Sequence, residues 1–289
     1  MAGNLDGEAH VPNSVGTEAG SCFVSANTVA APTSGEIRTV GAWIYTTADA
    51  ATFEGYNFQI IGCRTRTTTA SFFNTFTYAL QVTAADGLFK VRTVIGNNPI
   101  QHYNQTSGGA DAPYLPLGRG IYVAAQFNTN GTNTPNDTPV YSGPVLTTLA
   151  LDGADTPHAL STAARQVSIG GPAGTGSGGS DLAFFPGRIQ WAYHHPGALT
   201  HAQHLAMAAG VSPLQFLTPT SSDCWMMDSN SGLFVNATGG PSGVLSASGN
   251  AAYTANFVQQ RVLGVPRSGQ TLQGRTGRVF YPGASRVQA

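Results

Sequence analysis

The segment 185–210, FPGRIQWAYHHPGALTHAQHLAMAAG, constrains the fold more than any other part of this 289-residue chain. Its pattern predicts a turn and then a strand in which Ile189, Trp191 and Tyr193 share one face. A loop follows, and then one short helix over 200–209, which starts at a Thr cap and is followed by Gly. A single helix near the end of a sequence otherwise made of strands and turns favours a β-sandwich.

Short stretches of period-two alternation recur from about residue 37 to residue 193 and predict antiparallel sheets. The clearest hairpin joins FTYALQV to LFKVRTV through the Ala-Asp-Gly turn at 85–87. In its second strand, Phe89 and Val91 oppose Lys90 and Arg92. Two further strands are predicted. In one, Val40, Ala42 and Ile44 share one face, and Trp43 and Tyr45 lie on the opposite face. In the other, one face carries Ile121, Val123, Ala125 and Phe127.

Charge is scarce and unevenly distributed along the chain. Charged residues make up 9% of it, against about 25% in typical soluble domains. Up to Asp228, eight basic and fourteen acidic residues give a net charge of −6, and beyond it five arginines and no acids give +5. This asymmetry predicts a basic tail that lies on an acidic surface. The arginines are spaced rather than clustered, which disfavours nucleic acid, and no apolar run approaches the ~20 residues of a membrane span.

These features divide the chain into three parts. Residues 1–34 are expected to form an N-terminal arm with the first strand, and residues 35–258 the sandwich with its helix. Residues 259–289 form a basic, Gly-rich C-terminal arm that is too thin to build its own core. No standard secretory signal is visible, and the three distant cysteines are expected to be reduced thiols.

Five segments carry a resemblance to a known family: TVGAWIY, GIYVAAQFN, LALDG, VSIGG and the segment 185–210. Their order is similar to that of the laminin-G-like, concanavalin A-like jelly-roll family, over roughly residues 35–217. Gly187 and Ile189 match the family's F-x-G-x-I strand, and the following Leu-Thr matches the start of its short helix. The resemblance implies an all-β, antiparallel jelly-roll sandwich with one short helix. Two positions depart from the family pattern: Tyr122, where Trp is common, and Gln190, near which an acid is common.

The acidic residues do not form the pair that glycoside cleavage requires, in which one carboxyl donates a proton and another attacks or activates water. No predicted strand carries paired acids, and the glutamates all lie early in the chain, at Glu8, Glu18, Glu36 and Glu54. Patterns for a nucleophile elbow or a phosphate loop are also missing from the sequence. We therefore expect a protein that is not an enzyme.

Four histidines fall within eleven residues, at His194, His195, His201 and His204. A zinc site needs three or four converging ligands, usually with an acid nearby, and no acid lies between Asp181 and Asp223. The pattern therefore favours surface and helix-end histidines over a metal site. No cofactor is predicted. The alternative is calcium, held by loop oxygens of Asn136, Asp137 and Asp152.

Two functions from different classes are consistent with the sequence. The first is a structural protein of a bacteriophage virion, as a capsid decoration (cement) protein made in the host cytoplasm. It would contact the major capsid protein or other virion subunits and form a homo-oligomer, with a trimer favoured. Its arm contacts are expected at Arg261, Arg267, Arg275, Arg278, Phe280, Tyr281 and Arg286.

The second function is a lectin-like, carbohydrate-binding module of a tail or fibre that attaches to host surfaces. Sugar binding would use exposed aromatic side chains, and the candidate glycan contacts are Tyr103, Tyr114 and Tyr141. Neither function involves nucleic acid or a membrane.

Overall fold

In a computed structural model of the chain, the described residues are 20–29, 36–46, 49–64, 76–95, 101–105, 115–128, 139–147, 149–151, 165–171, 183–185, 187–219, 221–225, 233–234, 236–239 and 243–248. The C-terminal arm at 259–289 lies outside these ranges. No helix within them is both long enough and apolar enough to span a bilayer.

Within these ranges the chain forms sixteen β-strands and one α-helix. The strands are β1 (Gly20–Val29), β2 (Ile37–Tyr45), β3 (Asn57–Arg64), β4 (Phe76–Ala85), β5 (Leu88–Ile95), β6 (Gln101–Gln105), β7 (Gly120–Asn128), β8 (Val140–Ser142), β9 (Val145–Thr147), β10 (Leu149–Leu151), β11 (Arg165–Ile169), β12 (Ala183–Phe184), β13 (Arg188–His195), β14 (Asp223–Trp225), β15 (Leu233–Phe234) and β16 (Gly243–Ser248). The helix, α1 (His201–Ala208), lies between β13 and β14.

The strands form two sheets. The ten-stranded sheet has the order β10-β6-β5-β4-β3-β11-β1-β16-β15, with β12 paired in parallel to β3. The six-stranded sheet has the order β14-β13-β2-β7-β8-β9, and its pairs are antiparallel. The predicted all-β, antiparallel sandwich with one short helix is confirmed.

The sandwich core lies between the sheets and is built from alternate residues of their central strands, as the period-two pattern predicts. The predicted faces of β2 and β7 both point into it, and Trp43 points to the other side of β2. Completely burying a Val, Leu, Ile or Phe side chain contributes about 1.5–3 kcal/mol. The fully buried members from the central strands of both sheets include Val40, Ala42, Ile44, Phe58, Leu80, Val82, Phe89, Val91, Val123, Ala125 and Phe127.

The hairpin between β4 and β5 forms where its sequence predicts it, and its loop has two residues, because Ala85 of the predicted turn belongs to β4. Asp86 and Gly87 have φ angles of 58° and 70°, which is the left-handed conformation of a type I′ turn. The carboxylate of Glu54 accepts hydrogen bonds from both backbone N–H groups, at 2.8 Å and 3.2 Å. The turn sets the register in which Ala85 lies opposite Leu88.

The predicted common face of Ile189, Trp191 and Tyr193 is wrong, because β13 contains a bulge. Its register with β2 shifts between Gln190 and Tyr193, and Trp191 has a φ of 53°. A bulge inserts one residue and reverses the side on which later residues point. Ile189 therefore packs in the sandwich core, whereas Trp191 and Tyr193 pack on the opposite side, under α1.

The helix forms where the sequence predicts it. Thr200 is the N-cap: its hydroxyl accepts from the Gln203 N–H, and the Gln203 side chain accepts from the Thr200 N–H at 2.7 Å. This reciprocal pair is a capping box. Gly210, just past the end, has a φ of 96°. Under the helix lies a second apolar cluster, called here the helix-side cluster: Trp43, Tyr122, Ala124, Tyr141, Trp191, Tyr193, Leu199, Met207, Leu217 and Cys224.

Candidate functional site

A row of long polar side chains crosses the outer face of the ten-stranded sheet. Gln59 on β3, Gln81 on β4 and Arg92 on β5 lie directly opposite one another in the strand register. Their strand neighbours Val82 and Val91 point into the sandwich core, so the three polar side chains point away from it. We call these three residues the amide row.

The amide row is shielded from solvent although it faces away from the core. Gln59 and Gln81 are each 1% exposed, and Arg92 is 3% exposed. The Gln59 carboxamide is partly satisfied, since its Nε2 donates to Ser168 Oγ at 2.6 Å and to the Gly171 carbonyl at 3.3 Å. These bonds fix Gln59 against β11.

Gln81, at the centre of the row, is different. Neither its Nε2 nor its Oε1 has a hydrogen-bond partner, so the result does not depend on which way the amide is turned. A buried polar group without a partner costs about 1–3 kcal/mol. Native structures retain such groups rarely, and an unobserved water or ligand is one explanation for them. A carboxamide presents donors and an acceptor side by side, so it suits a ligand that carries both.

The end of the sandwich core contains a second polar group of residues. Tyr78 Oη lies 2.6 Å from His194 Nε2 and 3.3 Å from the Cys63 thiol that donates to it. Burial, helped by the positive charge of Arg38, lowers the pKa of His194 to about 3. His194 Nδ1 is 4.0 Å from the carboxylate of Asp223, beyond hydrogen-bond distance. His194 is therefore a neutral core residue.

A third polar group lies under α1. His204 is fully buried, with Nδ1 at 2.8 Å from Tyr122 Oη and Nε2 at 3.0 Å from Gln126 Nε2. Its ring stacks on Tyr141 with 3.9 Å between centroids. Burial, with a smaller effect of His201, lowers the pKa of His204 to about 4. Burial also raises the pKa of Tyr122 well above its usual value, so every member of this group is neutral at pH 7.

The expectation of surface histidines is wrong for three of the four. His194, His195 and His204 are buried, and of the cluster only His201 is exposed. His195 bonds through Nδ1 to Ser222 Oγ at 2.7 Å. The four do not converge, and among the described residues no three metal-ligating side chains come together. The residues named for calcium, Asn136, Asp137 and Asp152, lie outside the described ranges.

The predicted glycan contacts do not form one site in the described part of the chain. Tyr141 is 3% exposed, since its ring is covered by His204 and by His201, so the expectation that it is an exposed sugar platform is corrected. Tyr103 lies on β6, opposite Thr93. Tyr114 and all seven arm residues, from Arg261 to Arg286, lie outside the described ranges.

Sequence reasoning missed the amide row. Its signal was present, because Gln59, Gln81 and Arg92 each occupy a non-core position of one of three consecutive strands whose residues alternate in polarity. Alternation alone assigns such positions to solvent. Only the strand register shows that the three residues are neighbours.

Comparison with known proteins gives the fold. The SAP-like pentraxin from Limulus polyphemus, a native heptamer, matches with a TM-score of 0.50 at 16% identity, over 83% of this chain and 92% of the pentraxin. The fold is a concanavalin A-like jelly roll. No protein-family model matches the chain, and no curated protein does.

Two further solved structures are similar at lower scores. The Ruminococcus gnavus IT-sialidase CBM40 bound to α2,3-sialyllactose has a TM-score of 0.40 at 13% identity, over 61% of this chain and 84% of that one. The enzymatically active domain of bacteriophage CBA120 tailspike protein 2 has a TM-score of 0.43 at 12% identity, over 69% of this chain and 28% of that one. At such identities the likeness concerns the fold alone.

Proposed function

We propose that this chain is a non-catalytic, carbohydrate-binding β-sandwich and that its sugar site is the amide row. The single observation that carries the proposal is the Gln81 carboxamide, which is buried with neither polar atom bonded. A sugar hydroxyl donates one hydrogen bond and accepts others, so neighbouring hydroxyls can satisfy both ends of a carboxamide. Binding sites of this kind use a few fixed polar groups to orient the ligand.

A neighbouring group complements this role. The Gln59 carboxamide supplies a fixed acceptor beside Gln81, since its donor side is held by Ser168 and its Oε1 has no partner. A glycan lying across β3 and β4 would therefore meet an acceptor group and then a mixed donor and acceptor group in sequence. This order favours a ligand with several hydroxyls over a small apolar one.

The shielding of the amide row has a consequence for affinity. Because the row is at most 3% exposed, a glycan reaches it only in states of the chain that uncover this face. The apparent dissociation constant is then the intrinsic one divided by the fraction of molecules in those states. We expect weak binding of an isolated sugar unit.

The test is a glycan array with the purified chain, followed by calorimetry with the bound oligosaccharide. Gln81→Leu should weaken that binding at least tenfold. It should leave the free energy of unfolding unchanged or raise it by about 1–3 kcal/mol, because an unsatisfied buried amide is removed. A structural role for Gln81, including a bond to a buried water, predicts the opposite change in stability.

Two variants serve as controls. Gln59→Leu should lower stability, since it removes the bond to Ser168 Oγ. Leu146→Ala, at a half-exposed position on β9 of the other sheet, should leave both stability and glycan binding unchanged. An array without any bound glycan, or a Gln81→Leu protein that binds as wild type does, would refute the proposal.

A second candidate is the virion structural role, favoured by the separation of charge along the sequence. The net +5 beyond Asp228 suits adhesion of the C-terminal arm to acidic neighbours, such as a major capsid protein or further copies in a trimer. Deleting residues 259–289 should leave the sandwich folded and any glycan binding intact, and should prevent incorporation into particles. Unchanged incorporation of the truncated chain would exclude this role.

A further inference from the structure

The contact between α1 and the six-stranded sheet is separate from the sandwich core. The helix rests on the helix-side cluster, which lies on the outer side of β2, β7 and β13. The core between the sheets is a different set of residues. The helix can therefore leave its sheet without separating the two sheets.

At the centre of this contact, the carboxamide of Gln126 has a fixed orientation. Its Oε1 accepts from the Leu199 N–H at 3.2 Å, and its Nε2 donates to the Leu199 carbonyl at 2.8 Å. Rotating the Gln126 amide by half a turn would place its NH2 group against the Leu199 N–H and its oxygen against the Leu199 carbonyl. The Nε2 atom, a donor only, is therefore the group that faces His204 Nε2 at 3.0 Å.

The orientation of Gln126 decides the protonation of His204. Because His204 Nε2 accepts a hydrogen bond from the Gln126 amide, the ring proton of the neutral His204 imidazole must be on Nδ1. The Nδ1–H group then donates to Tyr122 Oη at 2.8 Å, and Tyr122 Oη is hydrogen-bonded to Tyr193 Oη at 2.5 Å. A chain of hydrogen bonds thus runs from the residue before the N-cap, through the helix, to β7 and β13.

A protonated His204 does not fit this chain. The imidazolium carries a proton on each nitrogen, so its Nε2–H would point at the N–H group of Gln126. The titratable groups that face His204 are His201 on α1, Tyr122 on β7, Tyr141 on β8 and, through Tyr122, Tyr193 on β13. None of them supplies a negative charge near neutral pH, and α1, β7, β8 and β9 contain no Asp, Glu, Lys or Arg.

We infer that α1 is held by an acid-sensitive latch, in which protonation of His204 breaks the Leu199–Gln126–His204–Tyr122 chain and releases the helix from the six-stranded sheet. Release uncovers the aromatic side chains of Trp43, Tyr122 and Trp191, which now lie under the helix. The sandwich core stays closed, since none of its members belongs to the helix-side cluster. The inference is independent of the proposed sugar site, which is on the other sheet.

The latch is tested by hydrogen exchange of the α1 amides between pH 7.5 and pH 4.5, corrected for the intrinsic effect of pH. One proton is taken up on release, so below about pH 6.5 protection should fall up to tenfold per pH unit. Amides of β4 and β5 should stay better protected than those of α1 at each pH, and any loss of their protection should follow the free energy of global unfolding measured by urea. Tryptophan fluorescence should shift to longer wavelength together with the loss of α1 protection.

Two variants and one direct measurement complete the test. His204→Gln should remove the pH dependence of α1 protection, and His201→Gln, an exposed histidine on the same helix, should retain it. If His204→Gln does not fold, the nitrogen resonances of His204 in the wild-type chain decide, since the latch requires the Nδ1–H form at pH 7.5. An Nε2–H form, or α1 protection that is constant down to pH 4.5, would overturn the inference.

Discussion

Gly41 shows how one missing side chain allows the helix-side cluster to form. It lies on β2 opposite Tyr193 of β13, and a Cβ built on it would be 2.5 Å from the Tyr193 hydroxyl and 2.7 Å from two ring carbons. Cβ atoms essentially never come this close to other atoms. Tyr193 cannot move aside, because its ring is completely buried and its hydroxyl is bonded to Tyr122.

We expect Gly41→Ala to lower the free energy of unfolding by about 1–3 kcal/mol, the usual cost of overpacking. This exceeds the ~0.4–1 kcal/mol that Gly→Ala gains by restricting the unfolded chain. Urea unfolding measures the change, and a double-mutant cycle with Tyr193→Leu identifies its cause. In the Tyr193→Leu background the cost should largely disappear. Equal costs in both backgrounds would show that the clash is not with Tyr193.

At the scale of elements, the sequence was sufficient to predict which residues share a face wherever a strand kept a regular register. The faces of β2 and β7, the hairpin between β4 and β5, and the capped helix all follow from local periodicity and turn chemistry. It failed at β13, because a bulge changes which residues share a face and has no signature in the alternation. Trp191 carries the left-handed φ there, a conformation that its residue type does not suggest.

The candidate sites were less predictable than the elements, because each is made by contacts between strands far apart in sequence. The sequence predicts histidines at the surface, because nothing local shows that Tyr78 covers His194 or that Tyr122 and Tyr141 enclose His204. The amide row likewise depends on the register of three strands. A charge count or a motif search cannot recover such a register.

For the whole molecule, the buried histidines on the two sides of β13 have a common effect on stability. His194 lies within the sandwich core, and His195 and His204 lie on the helix side. Burial lowers the pKa of all three, to about 3 for His194 and about 4 for His204. Each is neutral when folded and takes up a proton when unfolded, near pH 6.5. The stability they provide is complete above pH 6.5 and is lost as the pH falls toward the folded-state values.

We therefore expect the free energy of unfolding to fall by about 1.4 kcal/mol per pH unit for each histidine that stays buried, from about pH 6.5 downward. Burial raises the pKa of Asp223, so proton uptake by that carboxyl acts in the opposite direction. Urea unfolding at pH 7.5, 6.0 and 5.0 measures the slope. His194→Gln should reduce this slope by about 1.4 kcal/mol per pH unit, the contribution of one proton. His201→Gln, at an exposed position, should leave the slope unchanged. A stability that is constant from pH 7.5 to pH 5.0 would mean that these imidazoles can be charged inside the fold, contrary to their burial and to the donor that faces His204.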